Sequence, residues 1–392
     1  MGFYFINLAM NVLFMSPWYP HRYDAMSGLF VRKHAEAVAR QCEVTTLYLY
    51  PDANVSEPEV MVQTTNGVHE IYLYYPFVDR PLLRQLTKAL NFFKAFRKGY
   101  KEVKARFGRP DVVQANVLTR CGALAWWLKR REGIPYVIVE HWTRYLPQNF
   151  NYKGWLRRWV SEQVVKEASC VLPVSRMLCD AMRSHGLVHS NYQVVNNVVD
   201  DFFFEQPISA DRVHGKFRFL HVSCFIERAK NVCGMLRVVK RLSGERSDFV
   251  FTIIGIGPDF EEVKRYAETL DLPDGLVSFV GEQQPRQVCS YFAESDAFVM
   301  FSNYENAPVV ISESLAMGVP VISTRVGGIA DMIDAQSGVL IEAGDEQALY
   351  EQMIGMMAHR SEFDAEKIRQ RARRYSYETV GNFLVERYRE CL

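Results

Sequence analysis

This chain of 392 residues lacks several features that would point to a function directly. Its eight cysteines include no Cys-x-x-Cys pair and no histidine partners at zinc-finger spacing, so we expect reduced, mostly buried thiols, as in a cytoplasmic protein. The formal net charge is only +1, and no basic sheet motif interleaved with aromatic residues is present, so nucleic-acid binding is not expected. No apolar run approaches the ~20 residues that span a bilayer.

The N-terminal residues and the composition set the outer limits of the fold. Met1 to Met10 are apolar but lack a basic region and a small-residue cleavage site, which makes them a poor signal peptide. We predict that residues 1–9 form an unpacked extension, or that translation begins at Met10. With 48% hydrophobic and 23% charged residues the composition is that of an ordinary globular protein, and the length predicts two domains.

Strand and helix patterns alternate along the chain in two successive series. Short apolar runs predict buried parallel strands at 12–16, 44–50, 68–75, 112–115, 136–140, 170–174 and 193–196, and again at 217–223, 249–255, 277–281, 297–301, 321–324 and 338–341. Helical patterns in the first series lie at 29–40, 82–106, 122–131, 155–166 and 176–185. Two such series predict an α/β protein with two doubly wound domains facing each other. Because the patterning lapses near Asp200 to His214, we place the domains at 1–200 and 201–375.

The most informative stretch lies between the last two strong strands of the second series. Glu305 follows the strand predicted at 297–301, and Glu313 lies eight residues later, on the helix that follows. If this helix begins near Pro308, the free backbone N–H groups of residues 307–310 form an anion site. In an open α/β sheet, ligands bind in the crevice outside the carboxyl ends of the strands.

The same two glutamates allow two interpretations. An acidic residue beside an anion site suits a ligand that carries both hydroxyl groups and phosphates, and a nucleotide sugar offers both. Taken alone, two glutamates eight residues apart are also common as solvated charges on a surface helix. The Gly327-Gly328 turn after the next strand favours the first interpretation.

A second candidate anion site follows the first strand of the chain. Ser27 suits the N-cap of the helix predicted at 29–40, and Gly28 would let a ligand approach the backbone closely. A single glycine at a helix start is also common without any functional role.

Several segments together resemble the retaining glycosyltransferases of family 4, which have the GT-B fold. The resemblance extends from about Asn11 to the C-terminus, and the glutamate block is its most specific part. The segments are Ser27-Gly28-Leu29-Phe30-Val31-Arg32-Lys33-His34, Val139-Glu140-His141-Trp142, His221-Val222-Ser223, Lys230-Asn231, Gly255-Ile256-Gly257-Pro258, Glu305 to Glu313, and Gly327-Gly328. It implies two Rossmann-like domains around a central cleft, the first binding the acceptor and the second a nucleotide sugar. A final helix, in 376–392, would return to the first domain.

The resemblance also implies donor contacts. Glu313 would hydrogen-bond the ribose, Lys230 would contact the diphosphate, and Gly28 would touch the diphosphate from the acceptor side. The backbone that would hold the diphosphate with Lys230 belongs to Asn306, Ala307, Pro308 and Val309.

Two further residues would lie at the transferred sugar. Glu305 would face the sugar, and His141 would lie beside the reacting carbon. Alternatives without such a role stay open. A lone lysine such as Lys230 is commonly a surface residue, and a lone histidine such as His141 is commonly a structural one.

The chain departs from the family pattern at the diphosphate. Cys224 stands where members often carry an arginine, and Arg228 is the nearest residue that could substitute. Ala307-Pro308 replaces a common Phe-Gly step. The sequence contains no Asp-x-Asp, so we expect no metal and no cofactor, with Lys230 and helix dipoles stabilising the leaving group.

Residues 80–106 are strongly basic and amphipathic. They contain nine lysines and arginines against one acid, Glu102, and apolar residues recur at helical spacing. A basic amphipathic helix can lie on an anionic membrane, so peripheral contact through 82–106 is one hypothesis. The alternative is a helix that packs on the first domain and leaves its basic face in solvent.

These observations predict a metal-independent glycosyltransferase of surface polysaccharide synthesis, and the resemblance to family 4 implies that it retains the anomeric configuration. It would move a hexose or N-acetylhexosamine from a nucleotide sugar to a glycan or polyprenyl-linked acceptor, in the cytoplasm or at the inner membrane face. A nucleotide-sugar 2-epimerase of the same architecture and a catalytically silent sugar-nucleotide binding or scaffold protein stay open as alternatives.

Overall fold

The computed structural model describes residues 10–77, 84–146, 152–208 and 215–392. The predicted extension at 1–9, the first residues of the predicted basic helix and part of the predicted domain junction lie outside these ranges.

The chain divides into two compact units. The first contains the residues up to Val174, Leu178–Val198 and Tyr377–Leu392, and the second contains Ser175–Met177 and Val199–Ser376. The C-terminal segment therefore belongs to the first unit, as the resemblance implied.

Each unit is built on one sheet of buried strands. The first sheet has the order β3-β4-β2-β1-β5-β6-β7, and only β3 runs antiparallel to its neighbour. Its strands are β1 (Asn11–Ser16), β2 (Glu43–Asp52), β3 (Glu59–Thr65), β4 (Val68–Pro76), β5 (Val112–Asn116), β6 (Tyr136–Glu140) and β7 (Cys170–Pro173). All five residues of β5 and of β6 are buried, because a parallel sheet is covered on both faces.

The second sheet is parallel throughout and has the order β10-β9-β8-β11-β12-β13. Its strands are β8 (Phe217–Val222), β9 (Phe249–Ile254), β10 (Val277–Gly281), β11 (Ala297–Met300), β12 (Val321–Thr324) and β13 (Gly338–Ile341). The carboxyl ends of β8 and β11 are neighbours, and the chain order reverses between them. This is the position at which open α/β sheets bind ligands.

Helices connect the strands in both units. They are α1 (Leu29–Ala39), α2 (Arg84–Phe107), α3 (Ala123–Glu132), α4 (Trp155–Glu167), α5 (Arg176–Ser184), α6 (Asp201–Glu205), α7 (Glu227–Lys230), α8 (Val232–Ser243), α9 (Phe260–Thr269), α10 (Pro285–Glu294), α11 (Val309–Ala316), α12 (Glu346–Ala358), α13 (Ala365–Ala372) and α14 (Tyr377–Arg389). Helix α14 packs on α1, where the Tyr377 hydroxyl donates to Glu36 Oε2 at 2.8 Å. None of the described helices is both long and apolar enough to cross a membrane.

The prediction of two doubly wound α/β units is confirmed, with two differences in the first. The strand predicted at 193–196 is wrong: the segment is extended, and the N–H groups of Gln193 and Val195 donate to Val171 O and Pro173 O at 3.1 Å each, but its ladder pairing with β7 is limited to an isolated bridge between Tyr192 and Val171. The edge strand β3 was not predicted, because Glu59, Gln63 and Thr64 are exposed and its apolar run, Val60 to Val62, has only three residues. The prediction for the cysteines is confirmed, since none of the eight forms a disulfide and five are buried.

Candidate functional site

The turn that follows β8 carries Lys230 and is tightly fixed. Glu227 Oε2 and Oε1 accept from the N–H groups of Val232 and Cys233 at 2.8 and 3.0 Å, so this side chain satisfies the free start of α8. Asp259 Oδ2 accepts from Glu227 N–H at 2.7 Å. Asn231, between α7 and α8, is left-handed at φ 50°, a conformation that asparagine tolerates better than most residues. Lys230 therefore lies at a rigid corner.

The loop that follows β11 is hydrogen-bonded to this turn. Asn303 N–H donates to Ala229 O at 2.7 Å, and Asn303 Nδ2 donates to Arg228 O at 3.0 Å. Because β8 and β11 are adjacent strands, their loops meet at one edge of the sheet. The backbone bonds hold Lys230 and Glu305 at a fixed separation.

Lys230 and Glu305 form an ion pair across these two loops. The distance from Lys230 Nζ to Glu305 Oε1 is 2.5 Å, and the side chains are 16% and 10% exposed. Ser302 Oγ donates to the same carboxylate oxygen at 2.9 Å. The site thus presents an ammonium and a carboxylate together, one suited to a phosphate and the other to a hydroxyl group.

The Gly327-Gly328 turn packs against the backbone of the loop that carries Glu305. Gly327 has φ 60°, and a Cβ at this position would lie 2.0 Å from Glu305 O. Gly328 N–H donates to Asn306 O at 2.7 Å. Any larger residue at Gly327 would displace the loop, so the glycine pair acts on the position of Glu305 and Asn306.

Asn306 is also held through its side chain. Ser175, which belongs to the same unit, donates from Oγ to Asn306 Oδ1 at 2.8 Å. The position of Asn306 is therefore defined on both its backbone and its amide.

Helix α11 begins immediately after this loop. Pro308 is its N-cap, and Ile311 N–H donates to Pro308 O at 3.2 Å. Proline has no N–H, so within residues 307–310 it cannot serve as a donor to an anion. Val309 and Val310 occupy the first helical turn, where backbone N–H groups have no acceptor inside the helix. Glu313 lies one turn further along α11 and is half-buried.

Cys224, which departs from the family pattern, and Arg228, its candidate substitute, both have exposed side chains. Cys224 and Arg228 lie on the turn between β8 and α8, and only the carbonyl of Arg228 is bound to Asn303. The substitution of Arg228 for the missing arginine stays a prediction.

His221 is a buried histidine close enough to Lys230 to feel its charge, but it is itself uncharged. His221 Nδ1 donates to Val299 O at 2.8 Å, so its Nε2 accepts from Ser223 Oγ at 2.7 Å. Burial, and to a smaller extent the charge of Lys230, lowers the pKa of His221 to about 4. This residue is neutral at physiological pH.

Gly28, in the first unit, has a conformation that only glycine adopts easily. It is the N-cap of α1 with φ 63°, and a Cβ would lie 2.3 Å from the carbonyl of Trp18. The prediction that Ser27 is the N-cap is wrong, because the left-handed turn shifts the cap by one residue. The close approach at Gly28 is made by the protein's own backbone, and contact with a diphosphate stays a prediction.

His141 follows β6 and packs among rings of α1. Its ring centroid lies 4.4 Å from that of Phe30 and 5.6 Å from that of His34. Burial holds the pKa of His141 well below its usual range, and His34 lowers it further. The pKa of His34 itself is lowered to about 4 by burial, and its Nε2 donates to Asn196 O at 2.9 Å. His141 is therefore a neutral imidazole.

Glu140 is a buried residue whose role the sequence did not reveal. Its carboxylate accepts from Leu118 N–H at 2.9 Å and from Trp142 N–H at 2.8 Å. Burial raises the pKa of Glu140 to about 7, although these backbone bonds oppose the shift. The only signal in the sequence is an acid at the end of the fully apolar run of β6. Glu140 fixes the loop that carries His141.

No group of three or more His, Cys, Asp or Glu residues suited to a metal ion occurs among the residues that the structure describes.

Comparison with known proteins identifies both units. Residues 28–197 match the family model described as "Glycosyl transferase 4-like domain", and residues 204–379 match "Glycosyl transferases group 1". A crystal structure of Anabaena Alr3699/HepE in complex with UDP has the same fold, with a TM-score of 0.72 over 96% of this chain and 98% of that chain, at 17% identity. The chain belongs to the GT-B glycosyltransferases. The predicted GT-B fold and the predicted glycosyltransferase class are thus confirmed, and retention of configuration stays a prediction.

Curated relatives include glycosyltransferases of several kinds. N-acetyl-alpha-D-glucosaminyl L-malate synthase of Bacillus anthracis is 28% identical over 49% of this chain and 51% of the relative. TuaC of Bacillus subtilis, provisionally assigned as a teichuronic acid biosynthesis glycosyltransferase, is 22% identical over 87% of this chain and 88% of its own length. TuaC is matched over most of its length, but the chain spans about half the length of other curated relatives that it matches.

Proposed function

We propose that this protein is a retaining glycosyltransferase of the family 4 type. It transfers a hexose or N-acetylhexosamine from a nucleoside-diphosphate sugar to a glycan or lipid-linked acceptor in the cytoplasm. The likeness to TuaC supports a role in the synthesis of a surface polysaccharide, and the UDP bound to HepE supports a nucleoside-diphosphate donor.

The observation that carries the proposal is the pairing of Lys230 and Glu305 beside the start of α11. A departing diphosphate needs positive charge, which Lys230 and the backbone N–H groups of Val309 and Val310 supply. The transferred sugar carries hydroxyl groups that a carboxylate can accept, which suits Glu305. Glu313 then binds the ribose.

The residues of this site support transfer without a metal ion. Leaving-group charge is stabilised by fixed cations and backbone dipoles in place of a divalent cation. Arg228 is exposed on the same turn as Lys230 and would add a second cation once a diphosphate is bound.

His141 suits a role at the sugar ring. A transition state with positive charge on the ring is stabilised by a neutral imidazole but opposed by an imidazolium, and the lowered pKa keeps His141 neutral. Retention of configuration is part of the proposal because the resemblance to family 4 implies it.

A thermal unfolding screen with nucleotide sugars tests this function. A ligand that binds only the folded state adds about 2.7 kcal/mol to the free energy of unfolding at 100 times its Kd. One nucleotide sugar should raise the melting temperature of the parent, and it should raise that of Glu313→Ala much less. The control is Glu268→Ala, an exposed position on α9, which should be stabilised as much as the parent. No stabilisation by any nucleotide sugar would contradict the proposal. Binding without transfer would indicate a silent binding protein, and release of free nucleotide without acceptor would indicate an epimerase.

The basic face of α2 supports contact with an anionic membrane. Lys94, Arg97, Lys98 and Lys101 are exposed, while Phe96 and Tyr100 are buried against the sheet. The helix therefore packs on its unit by the apolar stripe and still offers its cations outward. This is the packing that the alternative hypothesis predicts, and we propose in addition that the exposed basic face attaches peripherally to the membrane.

A further inference from the structure

Two adjoining cavities lie in the first unit, and their lining residues are distinct from those of the Lys230 site. One has a volume of about 210 Å³ and is surrounded by the ends of β1 and β2, with Tyr48, Tyr50 and Trp18 among its aromatic residues. The other has a volume of about 440 Å³ and is lined largely by apolar residues of α2 and the end of β4, including Phe77 and Phe93. The two share Pro51, Phe92, Arg120 and Leu124.

The boundary between these cavities is positively charged. Arg120 lines both cavities, and Lys88 lines the larger one. Each cation lies over a lining ring: Arg120 Cζ is 5.7 Å from the centroid of Phe92, and Lys88 Nζ is 5.0 Å from that of Phe77. The described lining residues of the two cavities include no aspartate or glutamate. An anionic group with an apolar neighbour is the complementary ligand.

The turn that carries Arg120 has an unusual backbone. Val117 has φ 67° and ψ 116°, a conformation rarely adopted by a β-branched residue, and the next five residues form a π-helical turn, Leu118–Gly122. Backbone strain of this kind clusters at functional sites. The buried Glu140 carboxylate holds the turn through Leu118 N–H. The strained turn places Arg120 at the boundary.

We propose that the two cavities bind the acceptor, and that this acceptor is a sugar linked through diphosphate to a polyisoprenyl chain. The apolar larger cavity would hold the first isoprene units, Arg120 and Lys88 the diphosphate, and the smaller aromatic cavity the sugar. The sequence of apolar, cationic and aromatic surfaces matches the three parts of such a molecule. This inference rests on the proposed transferase function and names its acceptor class.

Binding of farnesyl diphosphate, measured by isothermal titration, tests the site. It is a water-soluble probe that carries both the diphosphate and three isoprene units. Arg120→Gln should weaken its binding about tenfold or more, because a charge-assisted contact is lost. Arg131→Gln is the matched control, since Arg131 is an exposed arginine on α3 outside both cavities. Equal affinity of the two variants would overturn the assignment of Arg120.

A second variant tests the apolar part of the site. Phe77 is 42% exposed, so Phe77→Ala should fold normally. This substitution should weaken the binding of farnesyl diphosphate. It should leave the binding of inorganic diphosphate, which is weaker in the parent, unchanged. If inorganic diphosphate binds as tightly as farnesyl diphosphate, the lipid assignment is wrong.

The same titrations separate this inference from the proposed function. Stabilisation of Arg120→Gln by the nucleotide sugar identified in the unfolding screen should equal that of the parent, because donor binding belongs to the second unit. Donor binding with no farnesyl diphosphate binding would overturn only the acceptor class. Farnesyl diphosphate binding with no donor binding would contradict the transferase function alone.

Discussion

Lys230 and Glu305, 75 residues apart in sequence, form an ion pair at the adjacent carboxyl ends of β8 and β11. The Glu305 carboxylate is paired with the Lys230 ammonium group, which in the proposed mechanism binds the donor diphosphate. A bound diphosphate must therefore compete with Glu305 for Lys230, or share it.

This competition predicts opposite effects of two substitutions on nucleoside diphosphate binding. Glu305→Gln should bind the nucleoside diphosphate of the donor at least as tightly as the parent, because a negative charge beside the anion is removed. Lys230→Met should weaken binding by about tenfold or more, since a charged contact is lost. Transfer should fall in both. Titration calorimetry checks the prediction, with Lys264→Met, an exposed lysine on α9, as control. Weaker binding in both variants would show that the pair acts only in folding.

His141→Ala should lower kcat by about 10²–10⁴, the range for a positioned catalytic side chain. Donor affinity should change little, because the imidazole acts on the charge of the transition state. Since its pKa is held well below the usual range, kcat should show no acidic limb from His141 between pH 6 and 8. Steady-state kinetics provides the measurement, with His359→Ala on an exposed surface as control. A near-normal kcat would make His141 a structural residue.

Glu140 should make folding stability fall as pH rises. Its pKa is raised from 4.5 to about 7 in the folded protein, so the folded state binds more protons than the unfolded state between these values. The favourable contribution is complete below about pH 4.5 and is lost as pH rises through 7. At about 1.4 kcal/mol per pKa unit the change approaches about 3 kcal/mol. Urea unfolding at pH 5 and pH 8 should show this loss in the parent relative to Glu140→Gln. A constant difference between the two proteins would contradict the raised pKa.

The basic face of α2 should bind anionic vesicles. Each lysine or arginine near such a surface contributes about 1 kcal/mol, screened by salt. Replacing Arg97, Lys98, Lys101 and Lys104 by glutamine should abolish sedimentation with anionic liposomes and leave transfer to a soluble acceptor intact. Zwitterionic liposomes serve as control. Sedimentation that survives the four substitutions, or that the parent lacks, would favour a basic face that only meets solvent.

Much of the fold follows from local sequence patterns. Strands such as Tyr136–Glu140 and Val321–Thr324 have the bounds that their apolar runs predict, because strands buried on both faces need continuous apolar residues. The apolar run of β3 has only three residues, since among the described strands β3 has a neighbour on one edge only. The extended segment at 193–196 has strand-like residues but too few ladder bonds. Local patterns therefore predict the strands that carry apolar runs, including the edge strands Val277–Gly281 and Gly338–Ile341.

The candidate site is less accessible from sequence. Motif spacing predicts that Lys230 and Glu305 lie on loops, but their pairing depends on the strand order that makes β8 and β11 neighbours. The positive φ of Val117 has no local signature, because valine normally avoids it. Glu140 resembles any acid at a strand end until its two backbone donors are located. Contacts between distant segments decide all three.

Transfer from the nucleotide sugar selected by the unfolding screen to a polyisoprenyl diphosphate-linked sugar, in excess EDTA, tests the central claim most directly. NMR of the product reports the configuration at the anomeric carbon. We predict a lipid-linked product with the donor's configuration. The parent and Glu268→Ala should form it at a rate that EDTA does not change. Glu305→Gln should form it at a greatly reduced rate. An inverted product, a rate lost in EDTA and restored by Mg²⁺ or Mn²⁺, or full activity of Glu305→Gln would contradict it.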